Sequence, residues 1–414
     1  MSTILYLSYD GMTDPLGRSQ VLPYLIGLTE KGFRFHLISF EKKDSFQKHS
    51  KTVTDITAAA GIQWHPLSYT KKPPVMSTVW DVVRMERKSK ELIRKFDIHA
   101  VHCRSYISGV VGLRLKRNLG LKFIFDIRGF WADERVEGGL WNLDNWMYAS
   151  IYKYFKSKER EMFAYADGVV SLTSKAAKLI HEQFNISTSN IHVIPCCADL
   201  DFFSRTNINE SVSNRVRLQT HMNQHTPVLG YLGAIGTWYM LDEMLVFFKR
   251  LLSLKPNAFF LFITPEPSEV ILEKAREIGV PTNQIGVYFA SREEVPSALA
   301  LIDISIFFIR PTFSKTASSP TKQGEIMGMG IPLICNTGIG DTDTVVEKYA
   351  CGELVDLNDP LSMDHAIARF DTILSIPKSK IRDGATDYFS LKEGVNRYEA
   401  LYKKVFDSTE SINP

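Results

Sequence analysis

Short β-rich runs alternate with helix-patterned stretches along most of this chain, and the alternation begins twice. The first run, Thr-Ile-Leu-Tyr-Leu-Ser at 3–8, ends in a polar loop at 9–17. A helix pattern follows with Val21, Leu22, Leu25 and Leu28 on one face, and it stops at Gly32. Further strands are read at 33–40, 99–103, 122–126, 168–172 and 192–195, with helices between them that include 80–96 and 143–165. The segment 201–224 is polar, rich in Asn, Ser and Thr, and lacks a sustained strand pattern. The rhythm then restarts at 228–233, with a helix at 241–254 and strands at 258–263, 285–289, 304–308 and 331–335. A last helix at 391–406 is amphipathic through Val395, Tyr398, Leu401, Tyr402 and Val405. Strand and helix in this alternation predict parallel, doubly wound sheets. The expected organisation is a Rossmann-like domain at 1–200, a connection at 201–226, a second Rossmann-like domain at 227–388, and a terminal helix and tail at 389–414.

Length agrees, because 414 residues exceed one ordinary core and fit two domains of roughly 200 each. With 44% hydrophobic and 23% charged residues the composition is globular, and disorder is expected only at 408–414. A formal net charge of +3 is too even to make nucleic acid the main partner. No run reaches the length of a membrane span, and the chain enters its first strand without a basic region and cleavage site, so a cytoplasmic location is expected. The five cysteines (Cys103, Cys196, Cys197, Cys335 and Cys351) are odd in number and scattered, which reads as reduced thiols. Adjacent Cys196 and Cys197 read as small buried residues.

In such sheets ligands bind beyond the carboxyl ends of the strands. The most informative stretch there is 318–335, Ser-Ser-Pro-Thr-Lys-Gln-Gly-Glu-Ile-Met-Gly-Met-Gly-Ile-Pro-Leu-Ile-Cys. Ser319 reads as an N-cap, Pro320 as the first helical residue and Gly330 as the stop. Lys322 then falls in the first turn, where the helix dipole disfavours a cation. A lysine beside free helix N–H groups makes sense when an anion sits there, and phosphate is the usual guest. Glu325, one turn on, could accept hydrogen bonds from ribose hydroxyls. A solvated Lys–Glu pair explains the pattern equally well.

The run Ser-Ser-Pro-Thr-Lys, Gly-Glu, Met-Gly-Ile-Pro-Leu-Ile-Cys resembles the donor-nucleotide motif of GT-B glycosyltransferases, especially the retaining family 4 enzymes. Val-Ile-Pro-Cys-Cys-Ala-Asp at 193–199 is similar to that family's passage between domains. Ser-Arg-Glu-Glu-Val-Pro at 291–296 and the last helix are similar to other landmarks in the same order. The resemblance implies an α/β fold of GT-B type, with two facing doubly wound Rossmann-like domains and a C-terminal crossover helix. It implies donor contacts at Ser319, Thr321, Lys322 and Glu325, and no cofactor or metal. Two departures stand out. The family's first glutamate falls on Ala317, so no carboxylate carries over to its place by the transferred sugar. In the segment 233–239, Gly-Ala-Ile-Gly-Thr-Trp-Tyr, small and aromatic residues replace the usual basic residue. Gly233 and Gly236 would still bring backbone N–H groups to a phosphate, and Arg310, at a strand end fixed by Pro311, would supply the cation.

In the first half the loop 10–19 has only Gly11 and Gly17, not the three spaced glycines of dinucleotide binders, which argues against NAD or FAD. Its N–H groups, with Arg18 beside them, are expected to meet the donor. Arg104 and Arg128 follow strands. Arg128 stands where relatives commonly place a His, and since arginine stays charged it is assigned to charge stabilisation. Arg104 and Asp133-Glu134-Arg135 are candidate acceptor contacts, an exposed salt-bridged loop being as good a reading for the last three. His99 and His102 lie on opposite faces of one strand and cannot easily share an ion with Cys103. Asp199-Leu-Asp201 and Asp341-Thr-Asp343 are read as chance Asp-X-Asp matches, with Asp341 kept as a donor contact. The segment 141–163 interleaves Trp146, Tyr148, Tyr152, Tyr154 and Phe155 with Lys153, Lys156 and Lys158. It fits a membrane interface or a lipid-linked acceptor, and it fits a core helix with a solvated basic edge; the basic cluster at 84–90 is similarly ambiguous.

The function expected from this reading is transfer of a hexose or N-acetylhexosamine from a UDP- or GDP-sugar to a glycan, lipid-linked or small-molecule acceptor, with retention. Peripheral contact with the cytoplasmic membrane face would accompany a lipid-linked acceptor. The alternatives are a sugar-nucleotide epimerase of the same architecture and a silent sugar-nucleotide-binding subunit.

Overall fold

Ile4 to Ser8 are all buried, so both faces of the strand Thr3–Ser8 (β1) must be covered and it can only be central. In the computed structural model, which describes residues 2–222 and 227–407, it lies in a seven-stranded parallel sheet. The other strands are Arg34–Glu41 (β2), Gln63–Ser68 (β3), Ala100–Arg104 (β4), Lys122–Asp126 (β5), Gly168–Ser171 (β6) and Ile191–Val193 (β7). Their order is β3-β2-β1-β4-β5-β6-β7, with Ile4 opposite Ala100 and Ser8 opposite Arg104. Strand order reverses between β1 and β4, which opens a crevice at their carboxyl ends.

A second all-parallel sheet contains Val228–Leu232 (β8), Phe259–Ile263 (β9), Ile285–Tyr288 (β10), Ile304–Phe307 (β11), Leu333–Asn336 (β12) and Gly352–Val355 (β13). Its order, β10-β9-β8-β11-β12-β13, reverses between β8 and β11. Both units are thus doubly wound and Rossmann-like. The apolar runs Phe-Phe-Leu-Phe-Ile of β9 and Val-Leu-Gly-Tyr-Leu of β8 are buried throughout, as strands covered on both faces require. Among the described residues no helix is long and apolar enough to cross a membrane. All five cysteines are buried and none is in a disulfide. The disorder expected at 408–414 falls outside the described residues.

The structure moves the boundary between the units. One unit comprises residues 1–195 and 391–414 and the other 196–390, so the division follows Pro195 and not the polar segment 201–226. That segment contains the helix Glu210–Thr220, capped by Asn209, whose side chain accepts from the Ser211 N–H. It packs on β10 and on the helix Val295–Leu299 as part of the second unit. Its polar composition reflects one solvated face. Two strands escape sequence reading, β3 and β13, and both are edge strands. β3 is half exposed and carries Pro66, which an edge tolerates because one side needs no ladder bond.

The last helix, Leu391–Asp407, belongs to the first unit through specific polar contacts. Tyr398 donates to Asp126 Oδ2 at 3.0 Å, and Tyr402 Oη is hydrogen-bonded to His102 Nδ1 at 2.7 Å. Leu401 packs on Gly168 and Val395 on Gly27. All four polar partners are buried, so a lost hydroxyl leaves a desolvated group behind. Tyr398→Phe and Tyr402→Phe should each destabilise the protein by about 1–3 kcal/mol. Chemical denaturation with the wild type as reference reads this out, and an unchanged midpoint would contradict the role given to these hydroxyls.

Candidate functional site

After β8 the chain cannot leave in an ordinary conformation. Gly233 adopts φ +105°, and a Cβ there would come within 3.2 Å of Lys322 Nζ. The following segment folds along the end of β11: Tyr239 bridges Ile309, and the N–H of Arg310 donates to the Trp238 carbonyl at 2.9 Å. Asn336, last residue of β12, clamps the same place. Its side chain accepts from the Ile309 N–H and donates to the Ile309 carbonyl, at 2.8 and 2.9 Å. This double bond to the backbone sets where Arg310 begins.

Lys322 enters from the helix Thr321–Gly328. Its Nζ lies 3.6 Å from the centre of the Tyr239 ring and 4.0 Å from that of Tyr231, is buried, and has no hydrogen-bond partner. Tyr231 is fixed in turn by donating to the Ala234 carbonyl. Cation–π attraction compensates part of the lost hydration. Burial nevertheless holds the Lys322 pKa well below the ordinary lysine value, with the nearby Glu325 carboxylate offsetting only part. Glu325 is half-buried, and burial raises its pKa against the pull of Arg292 and Lys322. A second cation pair surrounds Trp238: Lys315 Nζ is 3.7 Å, and the Arg310 guanidinium carbon 4.8 Å, from its ring centre. The crevice between β8 and β11 is therefore lined by three cations, two of them packed on one indole.

Several expectations change. Ser319 is not the N-cap; that position is Pro320, and the Ser319 hydroxyl instead accepts from the Cys196 N–H at 3.1 Å. Thr321 is the first helical residue and is partly exposed. Gly233 cannot offer its N–H to a phosphate, because it donates to the Ile263 carbonyl at 2.8 Å. Its use is to make room for Lys322. Gly236, at φ +51°, is exposed with open space around it. Asp341 is buried and accepts from Tyr388 at 2.8 Å, which gives its carboxylate a structural partner. Among the described residues no group of three or more His, Cys, Asp or Glu could hold a metal. Sequence reading missed Lys315 and Asn336. Neither lies in a patterned position, and the indole and carbonyls they meet come from distant segments.

In the first unit the loop after β1 is closed by a residue no motif indicated. Glu41, at the end of β2, accepts from the N–H groups of Met12 and Thr13 at 2.8 and 3.0 Å, and from the hydroxyls of Thr13 and Ser39. The N–H donors expected to meet a donor phosphate are thus occupied by a carboxylate. Gly17 serves packing: a Cβ there would lie 2.2 Å from the Gly11 carbonyl oxygen. Arg18 keeps a buried Nε without a hydrogen-bond partner.

Arg104 is buried at the end of β4. Its Nε donates to Asp10 at 3.3 Å, and Nη1 has no hydrogen-bond partner. Arg128 lies 3.8 Å from the buried Asp126 carboxylate. Burial opposes ionisation of Asp126, but Arg128, His102 and Arg104 together hold its pKa below the usual value. Ser105 and Arg128, each just past a strand, adopt φ +66° and +56°, conformations that cost non-glycine residues about 1–3 kcal/mol and collect at functional sites. Asp133 is removed as an acceptor contact, since Tyr152 and Lys156 occupy its two oxygens at 2.7 and 2.9 Å. Glu134 is partly exposed in the helix Trp131–Glu137. His99 is exposed beside Asp97, whereas His102 is buried. The aromatic–basic segment divides: Tyr152, Phe155 and Lys156 pack inward, and Trp146, Lys153 and Tyr154 remain exposed.

Residues 24–202 match the family model described as Glycosyltransferase Family 4. No curated protein sequence matches the chain significantly. Solved structures do. A glycosyltransferase from Rickettsia africae is 16% identical with a TM-score of 0.70, covering 98% of each chain. A sucrose-phosphate synthase from Thermosynechococcus elongatus is 13% identical with a TM-score of 0.73, over 99% of this chain and 100% of its own. The Anabaena protein HepE, solved with UDP and glucose, is 14% identical with a TM-score of 0.68, over 97% and 100%. Likeness at these identities establishes the fold: two Rossmann-like α/β domains of GT-B type.

The desolvated ammonium of Lys322 has a consequence that needs no ligand. A lysine with a depressed pKa binds fewer protons folded than unfolded, so stability rises with pH between its folded pKa and the ordinary lysine range. Lys322→Met should therefore stabilise the protein by ~1–3 kcal/mol near neutral pH. The advantage should shrink as pH rises towards about 10. Urea unfolding at several pH values measures this; a pH-independent difference would contradict it.

Proposed function

We propose that this GT-B-fold chain, which resembles glycosyltransferase family 4, is itself a glycosyltransferase using a nucleotide-diphosphate sugar. The observation that carries the reading is the Lys322 ammonium, buried without a hydrogen-bond partner on the first turn of Thr321–Gly328, at the crevice where the second sheet reverses. A diphosphate would supply the missing acceptor oxygens and favour the charged form of the lysine, and the helix N–H groups would share it. Arg310 and Lys315 would stabilise charge on the departing diphosphate. Glu325, one turn along from Lys322, would hold the ribose hydroxyls. UDP bound to HepE supports a uridine or similar nucleotide here.

The transferred group would be a hexose or N-acetylhexosamine, and the acceptor a glycan, a lipid-linked sugar or a small molecule. Buried Ala317 offers no carboxylate at the family's first-glutamate position. Retention would then follow a same-face course. The bond from the anomeric carbon to phosphate breaks, the acceptor oxygen bonds to that carbon from the same side, and the acceptor proton passes to the leaving phosphate. No metal or cofactor enters this scheme. Arg128 is assigned to charge stabilisation, and Arg104 and Glu134 to acceptor hydroxyls. A cytoplasmic location fits a donor of this kind.

A thermal-shift screen of UDP-, GDP- and ADP-sugars should show stabilisation by one nucleotide class, lost in Lys322→Ala. With that donor, Lys322→Ala should lower turnover by about 10²–10³. Glu325→Gln should raise the donor KM more than it lowers kcat. Unchanged turnover in Lys322→Ala, or a changed sugar with donor alone and no acceptor, would overturn the reading.

A further inference from the structure

The helix Met76–Lys95 buries Asp81, Val82, Met85 and Leu92 and turns a different set of apolar side chains outward. Met76, Val79, Trp80 and Val83 are 66%, 54%, 59% and 48% exposed. Their spacing places them on one stripe of the helix, and Arg87 and Arg94 continue the same stripe. Lys71 and Lys72, also exposed, stand just before the helix. A contiguous apolar stripe of this kind is uncommon on a surface that meets only water.

The charges around it that lack an ion pair among the described residues are of one sign. Asp81 is buried and accepts from the N–H and hydroxyl of Thr70, from Tyr9 and from Arg84. Glu86 pairs with Lys90 and Arg114, and Glu91 with Lys88. Arg87, Arg94, Lys71 and Lys72 form no ion pair among the described residues. A second copy of the chain docking through this face would set these cations against each other, whereas an anionic surface would neutralise them. The Asp81 bonds also fix the start of the helix, so the stripe is presented on a firm element.

A second exposed apolar group stands on another helix of the same unit. The helix Trp146–Tyr165 begins with Trp146, 81% exposed, just after exposed Leu140 and Leu143. This helix and Met76–Lys95 both pack on Ser105–Leu119. Each delivers the chain to the amino end of the next strand, β6 and β4, so both begin at the carboxyl edge of the sheet.

We infer that the outward stripe of Met76–Lys95, together with the exposed Trp146 end of Trp146–Tyr165, docks the first unit on an anionic lipid bilayer. Apolar side chains enter the interfacial layer and the flanking cations meet lipid phosphates. The surface belongs to the first unit and the crevice of Lys322 to the second, and the inference does not depend on the reaction assigned to that crevice.

Flotation of the full-length protein with vesicles tests this. It should float with phosphatidylcholine vesicles containing about one-third phosphatidylglycerol and bind at least about tenfold less to pure phosphatidylcholine, with salt weakening the anionic binding. The double variant Val79→Glu/Trp80→Glu should lose binding about tenfold or more while keeping the wild-type circular dichroism and melting temperature. Arg87→Glu/Arg94→Glu, which leaves the apolar stripe intact, should lose the preference for anionic vesicles. Equal binding to both vesicle types, or unchanged binding by both variants, would overturn the inference. So would a wild-type dimer that Val79→Glu/Trp80→Glu converts to monomer, since that assigns the stripe to a second copy.

Discussion

A parallel sheet buried on both faces has little room for polar chemistry except where its strands end. In each unit of this chain the central strands are largely apolar, and their carboxyl ends are where Arg104, Arg128, Asn336 and Arg310 collect. The helices that cover the sheets then fix which groups reach those ends. Burial of β1, β8 and their neighbours therefore both stabilises the units and confines the candidate chemistry to two crevices, each at the place where strand order reverses.

The fold was legible because this constraint writes itself into the sequence. A strand covered on both faces must be apolar at consecutive positions, as at 3–8 and 258–263, whereas the half-exposed edge strands β3 and β13 leave no such run. The helix Glu210–Thr220 was hidden for a related reason, since its polar outward face resembles a linker in composition. In the site, Lys322 was legible because a cation in a first helical turn violates a local rule. Its aromatic slot was not, because Tyr231 and Tyr239 lie far from it in sequence. Ser319 and Gly233 have partners that the local pattern did not show: the Ser319 hydroxyl accepts from the Cys196 N–H, and the Gly233 N–H donates to the Ile263 carbonyl. Asp133 and Asp341 likewise have partners from distant segments, each accepting from a tyrosine hydroxyl.

Lys322 concentrates the tension between folding and function. Its ammonium is removed from water without a hydrogen-bonding anion, and two tyrosine rings return only part of the lost hydration. A residue selected for stability alone would be apolar. The same desolvation makes an incoming phosphate oxygen a far stronger partner than it would be at the surface, because the low local dielectric strengthens the attraction.

Glu41 gives the two halves opposite electrostatic character. In the first unit the N–H groups after β1 already hold an anion, and it is covalently part of the chain. A phosphate approaching that loop would have to displace a buried, four-bonded carboxylate and suffer its repulsion meanwhile. In the second unit the corresponding position after β8 presents a cation still lacking such a partner. Two domains of the same topology, each with a crevice at its strand reversal, therefore present unlike crevices. The difference in the charge they present to an anion is set by a single carboxylate at the end of β2.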